Sequence, residues 1–148
     1  MAIGAPDHVQ LSDDAHTRYT WRRLLEASVN AVSGVTYTLI DQAFEGVLIS
    51  FSSLCTYKGT RYRIYVDDVL IQELRPETLW GSYNFRNPAS GFAITGLNIY
   101  DEINNLFDVW FNTHFKCYVK KGVKVEGWQG SGANKFIQYP MIYYLERI

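Results

Sequence analysis

The run from Leu106 to Val119 restricts the fold more than any other stretch. Odd positions Phe107, Val109, Phe111, Phe115, Cys117 and Val119 are apolar, and Thr113 is the polar member of that parity. Asp108, Asn112, His114 and Lys116 fall between them, with Trp110 and Tyr118 as the aromatic exceptions. Successive side chains of a strand point to opposite faces of its sheet, so a period of two is what a half-buried strand needs. On a helix the same residues would be spread around the whole circumference. The run reads as one long strand, or two collinear strands, on one wall of an all-β core.

The remaining chain follows the same rhythm. Residues 17–31 support two readings: Trp21, Leu24 and Leu25 begin a helical stripe that fails at Ser28, whereas Leu25, Ala27, Val29 and Ala31 alternate. A strand from about Leu25 is expected, with a helical turn over residues 20–24. Ser33-Gly34 is a turn signal, Val35, Tyr37 and Leu39 alternate as a strand, and residues 41–46 read as a loop. Val47, Ile49 and Phe51 alternate with Leu48, Ser50 and Ser52, and residues 56–60 form a turn. The clearest hairpin follows. Tyr62, Ile64 and Val66 alternate with Arg61, Arg63 and Tyr65, Asp67-Asp68 turns, and residues 69–74 return. Asp tolerates the left-handed backbone that a tight hairpin needs.

Pro76 breaks the ladder, and a short strand is expected within residues 78–85 around Leu79, Trp80 and Tyr83. Residues 86–91 read as a surface loop, 92–100 as a strand and 101–105 as a turn into the long strand. Lys120-Lys121-Gly122 turns the chain again. Val123 and Val125 begin a short strand, 127–135 is a flexible Gly-rich loop, and 136–145 closes the domain. Eight to ten short strands with turns every ~8–12 residues predict a single-domain antiparallel β-sandwich, jelly-roll-like, over residues 17–148. Residues 1–16, polar and aperiodic, form an N-terminal arm, either frayed or ordered against a neighbouring subunit.

Composition bounds the function. A chain of 148 residues with 47% hydrophobic and 20% charged residues fits one core. A net charge of -1 gives no global drive toward nucleic acid or anionic lipid. The apolar runs are too short to span a bilayer, and the first residues lack the basic and apolar regions of a signal peptide. Cys117 lies on the apolar parity and reads as a buried hydrophobe, which fits synthesis in a reducing cytoplasm. A Cys55–Cys117 bridge is the lesser alternative.

The tests for chemistry come out empty. The glycines between Gly127 and Lys135 lack the Gly-Lys-Ser/Thr ending of a phosphate loop. His8, His16 and His114 lack metal-ligand spacing. Asp67/Asp68 and Asp101/Glu102 are explained by turn propensity, and as calcium ligands their spacing is generic. No serine sits in a nucleophile elbow. No catalytic, cofactor or metal residues are assigned, and the chain is expected not to be an enzyme. Lys116, Lys120, Lys121 and Lys124 lie near Tyr118 and Trp128. A solvated strand edge explains them better than nucleic-acid binding, given the acidic balance.

Aromatics reach 16%, a surplus suited to contact surfaces as well as to packing. Residues 35–41, 46–50 and 62–68, with their Thr/Tyr-rich strands, short polar turns and acidic hairpin, resemble strands of the β-sandwich structural proteins of tailed-phage virions. Residues 100–102 and 115–120 are similar in the same way. The resemblance implies a capsid decoration protein, a capsid jelly roll or a tail module. Such a component would be made in the host cytoplasm, self-associate as a trimer and dock on other virion proteins. The alternative is a carbohydrate-binding sandwich for host attachment, with Trp80, Tyr83 and Arg86 as its platform. For either partner the contact candidates are Trp80, Tyr83, Arg86, Trp110, Tyr118 and Trp128, chosen for polar-face or loop positions.

Overall fold

The computed structural model describes residues 8–9, 18–83, 86–88 and 94–148, with the backbone alone at 8–9, 82–83, 86–88 and 114–116. In chain order it contains β1 (His8–Val9), β2 (Tyr19–Leu25), β3 (Val29–Ala31), β4 (Tyr37–Ala43), β5 (Gly46–Cys55), β6 (Arg61–Val66) and β7 (Val69–Leu74). Then come α1 (Pro76–Tyr83), β8 (Arg86–Pro88), β9 (Ile94–Asp101), β10 (Leu106–Val119), β11 (Gly122–Trp128) and β12 (Lys135–Arg147). One sheet has the order β1-β2-β12-β5-β10-β9-β8, with β3 also paired to β12, and the other has the order β4-β11-β6-β7. Both are antiparallel, and they pack face to face as an all-β sandwich. The very short β1, β3 and β8 raise the strand count above the eight to ten expected.

The parity of residues 106–119 holds wherever side chains are described; His114, Phe115 and Lys116 lie outside them. Phe107, Val109, Phe111, Thr113, Cys117 and Val119 are all buried, on the face turned to the second sheet. Thr113, the polar exception, has a structural reason. Pairing between β10 and β5 lapses between Asn112 and Cys117, where four residues of β10 face Ile49 alone. The Thr113 hydroxyl lies within hydrogen-bond reach of the carbonyls of Leu48 and Ile49, beside that gap. The strand is thus continuous, with two separately paired halves.

Between β10 and β12 lies β5, hydrogen-bonded on both sides. Its inward residues Leu48, Phe51 and Cys55 join Phe107, Phe111, Ile137 and Ile142. From the second sheet come Leu39, Tyr62, Ile64, Val123 and Val125. The Tyr62 hydroxyl, fully buried, donates to Ser53 Oγ at 3.0 Å, which satisfies a polar group that burial would otherwise penalise.

Several expectations need correction. Residues 20–24 form no helical turn: they lie within β2, where pairing with β12 from Thr20↔Glu146 to Leu24↔Ile142 outweighs the weak helical stripe. The expected loop over 41–46 shrinks to Phe44 and Glu45, because β4 runs on to Ala43 against β11. Phe44 is buried and stacks on Tyr144 at 4.1 Å.

The short strand expected within 78–85 is instead α1. Pro76 suits a first helical turn, where its missing N–H is not needed, and Leu79 N donates to the Arg75 carbonyl at 3.1 Å. Leu79 is buried in the core, and Trp80 stacks on Tyr100, so the helix fills the inner layer over β9. Residues 86–88 pair with β9 rather than looping, while 89–91 lie outside the described residues. A register shift in β9 exposes Ile99 although Thr95 and Leu97 are buried. The Gly-rich loop is shorter than expected, since Gly127 and Trp128 belong to β11. It is also tethered: the buried Gln129 amide donates to the carbonyls of Ala31 and Ala133 and accepts from Ser131 N. The arm expected over residues 1–16 lies outside the described residues except for β1, which pairs with β2.

The acidic hairpin matches its prediction. Asp67 and Asp68 have φ of 50° and 68°, and Val66 pairs with Val69 across the two-residue turn. The Asp67 carboxylate also accepts N–H bonds from Lys120, Lys121 and Gly122 at 2.9, 2.6 and 3.1 Å. Partial burial would raise its pKa, but these three donors outweigh that and hold the carboxyl below its ordinary value. Asp67→Asn keeps a residue that tolerates positive φ and removes the charge. It is expected to lose about 1 kcal/mol at neutral pH, given the partial solvent exposure. A group depressed in the folded state stabilises above its unfolded pKa, near ~4, and loses that contribution as pH falls through the lower folded value. Thermal melts should therefore show a Tm gap between wild type and variant that is full at pH 7 and closes in acid.

Candidate functional site

The six contact candidates do not converge. Trp80 lies on α1, exposed on one side and stacked on Tyr100 on the other, with centroids 4.6 Å apart and planes at 3°. Tyr83 and Arg86 fall in α1 and β8, but their side chains lie outside the described residues. Trp110 and Tyr118 sit on the outer face of the large sheet, and Trp128 ends β11 on the outer face of the small one.

The two outer faces differ in chemistry. On the small sheet, directly paired residues across β11 and β6 satisfy one another. Trp128 lies under the Arg61 guanidinium at 4.6 Å, and Lys124 lies over Tyr65 at 4.8 Å. Arg63, opposite Glu126, binds Glu73 of β7 at 3.1 Å. Lys124 also reaches Glu126 at 3.9 Å. Lys120 and Lys121 are held through their backbone by Asp67, and Lys121 and Lys124 share a cleft of about 290 Å³ with Asp41, Asp67 and Asp68. The basic cluster seen in the sequence is therefore interleaved with carboxylates. Lys116 lies outside the described side chains.

The outer face of the large sheet mixes aromatic and aliphatic side chains with Ser50, Ser52, Asn112, Arg23 and Asp108. Tyr19, Val47 and Leu145 are buried there as a second small cluster, with Trp21 and Ile49 packed on it. Across the neighbouring strands the same face carries Leu25, Met141, Tyr143, Leu54, Trp110, Tyr118 and Ile99. Leu25, Tyr143, Tyr118 and Ile99 remain exposed, from 36% for Ile99 to 58% for Tyr118. The face also carries Asp108, which accepts from Asn98 at 3.2 Å and whose pKa burial raises.

A separate cleft opens at one end of the sandwich, where the β5–β6, β9–β10 and β11–β12 loops meet. It has a volume of about 420 Å³, and Tyr57, Lys58, Glu102, Asn105 and Lys135 are among its lining residues. Lys58 Nζ binds Glu102 Oε1 at 3.1 Å, and the Tyr100 hydroxyl donates to the same oxygen at 3.0 Å. The Lys58 contact holds the Glu102 carboxyl below its usual range, and Glu102 in turn raises Lys58. Burial, then the bond to Glu102, pushes Tyr100 up to about 12. In the sequence Glu102 reads only as a turn carboxylate, because the cleft residues belong to three turns far apart in the chain. The signal was the turns themselves: strands of known direction bring all three to one end.

Among the described residues no group of three or more His, Cys, Asp or Glu is arranged to hold a metal ion, and no helix is long and apolar enough to cross a membrane. Both cysteines are free, buried thiols. Cys55 pairs with Phe107 and Cys117 with Leu48, seven residues along β5 from Cys55, which puts the two thiols about 24 Å apart at strand spacing. That separation rules out the bridge within one chain. No protein-family model matches the chain, and no curated protein matches its sequence.

Burial pushes both thiols up to about 11, which leaves little thiolate at neutral pH. Ellman's reagent at pH 8 should label neither cysteine in the native chain and both after unfolding in guanidinium. Rapid labelling of native protein would contradict their placement.

Proposed function

We propose that this protein is a non-enzymatic structural component of a virion that self-associates through the outer face of its large sheet. The observation that carries the reading is the contrast between the two outer faces. An antiparallel sheet with one solvated face is normally polar on that face, and the small sheet is largely so, with exposed apolar side chains confined to Val69 and Leu70 at the tip of its hairpin among the described residues. The large sheet carries exposed aromatic and aliphatic side chains and a buried cluster instead, the pattern of a surface that meets a partner. Five strands at ~4.8 Å and about eight residues at ~3.4 Å outline roughly 650 Å². That approaches the ~800 Å² that each partner contributes to a stable interface. A second copy of the chain is the occupant, because the exposed Leu25, Tyr143, Tyr118 and Ile99 can pack on their own counterparts and the face carries charges of both signs, Arg23 and Asp108, as a surface that meets itself requires. Three such sheets can enclose a threefold axis. The virion assignment itself rests on the likeness of strand rhythm to tailed-phage sandwich proteins.

Light scattering after size exclusion should give a mass near three times 17.1 kDa. Tyr143→Glu places a carboxylate opposite Arg23, where the isolated chain accommodates it, and in the middle of the proposed contact. Association should weaken by at least about tenfold, ~1.4 kcal/mol, with the melting of the dilute chain little changed. A wild-type monomer at high micromolar concentration would contradict self-association through this face.

A further inference from the structure

We infer that the loop-lined cleft is a binding site for a carboxylated sugar. Its volume of about 420 Å³ falls within the ~300–1,000 Å³ of small-ligand sites. Each of its walls is fixed by bonds of its own. Gln129 braces the β11–β12 loop from within. Asp101 accepts N–H bonds from Ile103 and Asn104, both at 3.0 Å, which sets the β9–β10 turn. The Thr60 hydroxyl donates to the Tyr57 carbonyl at 2.8 Å, and Gly59 lies so close to the Tyr57 ring that a Cβ would collide with it. A cleft held this way loses little entropy when a ligand enters.

The charge in the cleft selects the ligand. Lys58 and Glu102 neutralise each other at 3.1 Å. Lys135 is half-buried and makes no ion pair among the described residues. One uncompensated ammonium calls for one anionic group, and a carboxylate meets it with a charge-assisted bond. The rest of the lining suits hydroxyls. Glu102 uses Oε1 for Lys58 and Tyr100, and its Oε2 makes no hydrogen bond among the described residues. The Asn105 amide offers both a donor and an acceptor, and Tyr57 contributes the aromatic part of the lining, which suits the apolar C–H groups of a pyranose. A peptide C-terminus would be better served by a nest of backbone N–H groups, and a phosphate by several cations around one point. The site is separate from the sheet face assigned to self-association, so either assignment can fail alone.

The test is a titration of the full, isotopically labelled chain followed by amide NMR. Two acidic probes, trigalacturonate and 3′-sialyllactose, are compared with neutral maltotriose. Saturable shifts confined to residues 57–58, 102–105 and 131–135 are expected for at least one acidic probe. Which acidic probe responds distinguishes an internal uronate from a terminal sialate as the source. Lys135→Gln should weaken that binding about tenfold and Lys135→Arg should restore it, with unchanged spectral dispersion reporting that both variants fold. Asn105→Gly, which keeps a residue suited to the positive φ there and leaves Lys135 and the Lys58–Glu102 pair in place, supplies a second variant and should also weaken binding. The inference is overturned if neither acidic probe shifts these residues, if maltotriose shifts them equally, or if folded Lys135→Gln binds like wild type.

Discussion

The double pairing of β5, with β10 on one side and β12 on the other, is the constraint on which the rest of the molecule depends. At its start β5 and β12 run so close that a Cβ on Gly46 would overlap the carbonyl oxygen of Leu145. Farther along, both ladders slip near Ile49, and β12 slips again at Tyr139-Pro140, where Tyr139 has φ of 50°. These irregularities turn side chains between the two faces. They let Val47 and Ile49 join Tyr19 and Leu145 on the outer side while Leu48 and Phe51 remain in the main core. The second hydrophobic cluster, and with it the apolar part of the outer face, is a product of how β5 is gripped.

The sandwich therefore presents unlike surfaces. On the small sheet Arg61, Arg63 and Lys124 each lie against a ring or a carboxylate of their own or a neighbouring strand. One end is tied by Asp67 to the turn at Lys120–Gly122, which locks the acidic hairpin of the small sheet to the end of β10 in the large one. The other end gathers three loops around a cleft lined by the Lys58–Glu102 pair and Lys135. A subunit of the proposed kind would assemble through the outer face of the large sheet and leave the loop-built end open to its surroundings.

What the sequence made legible follows from geometry. The alternation in β10 and the Asp67-Asp68 hairpin could be read because one face of each strand is dry and the other wet, and because Asp accepts positive φ. β5 could not be recognised as central: Gly46, Val47 and Leu48 are all buried, so alternation is lost where it matters most. The short helix was hidden because Trp80 and Tyr83 favour strands by composition, whereas Pro76 at its first turn and the stack of Trp80 on Tyr100 decide the outcome. Tyr118 and Trp110 were rightly placed on the polar parity of β10. Their neighbours Tyr143, Leu25 and Val47 come from strands whose register only the folded sheet reveals. The cleft was out of reach for the same reason, since Lys58, Glu102 and Lys135 meet only through strand order.

The claim that the outer face of the large sheet is a contact surface is tested most directly by hydroxyl-radical footprinting of the wild-type chain, dilute and concentrated, read residue by residue. The account predicts that Tyr143, Tyr118 and Trp110 lose reactivity as concentration rises, while Trp80 and Trp128 do not change. Equal labelling of all five at both concentrations, or protection confined to Trp128, would contradict it.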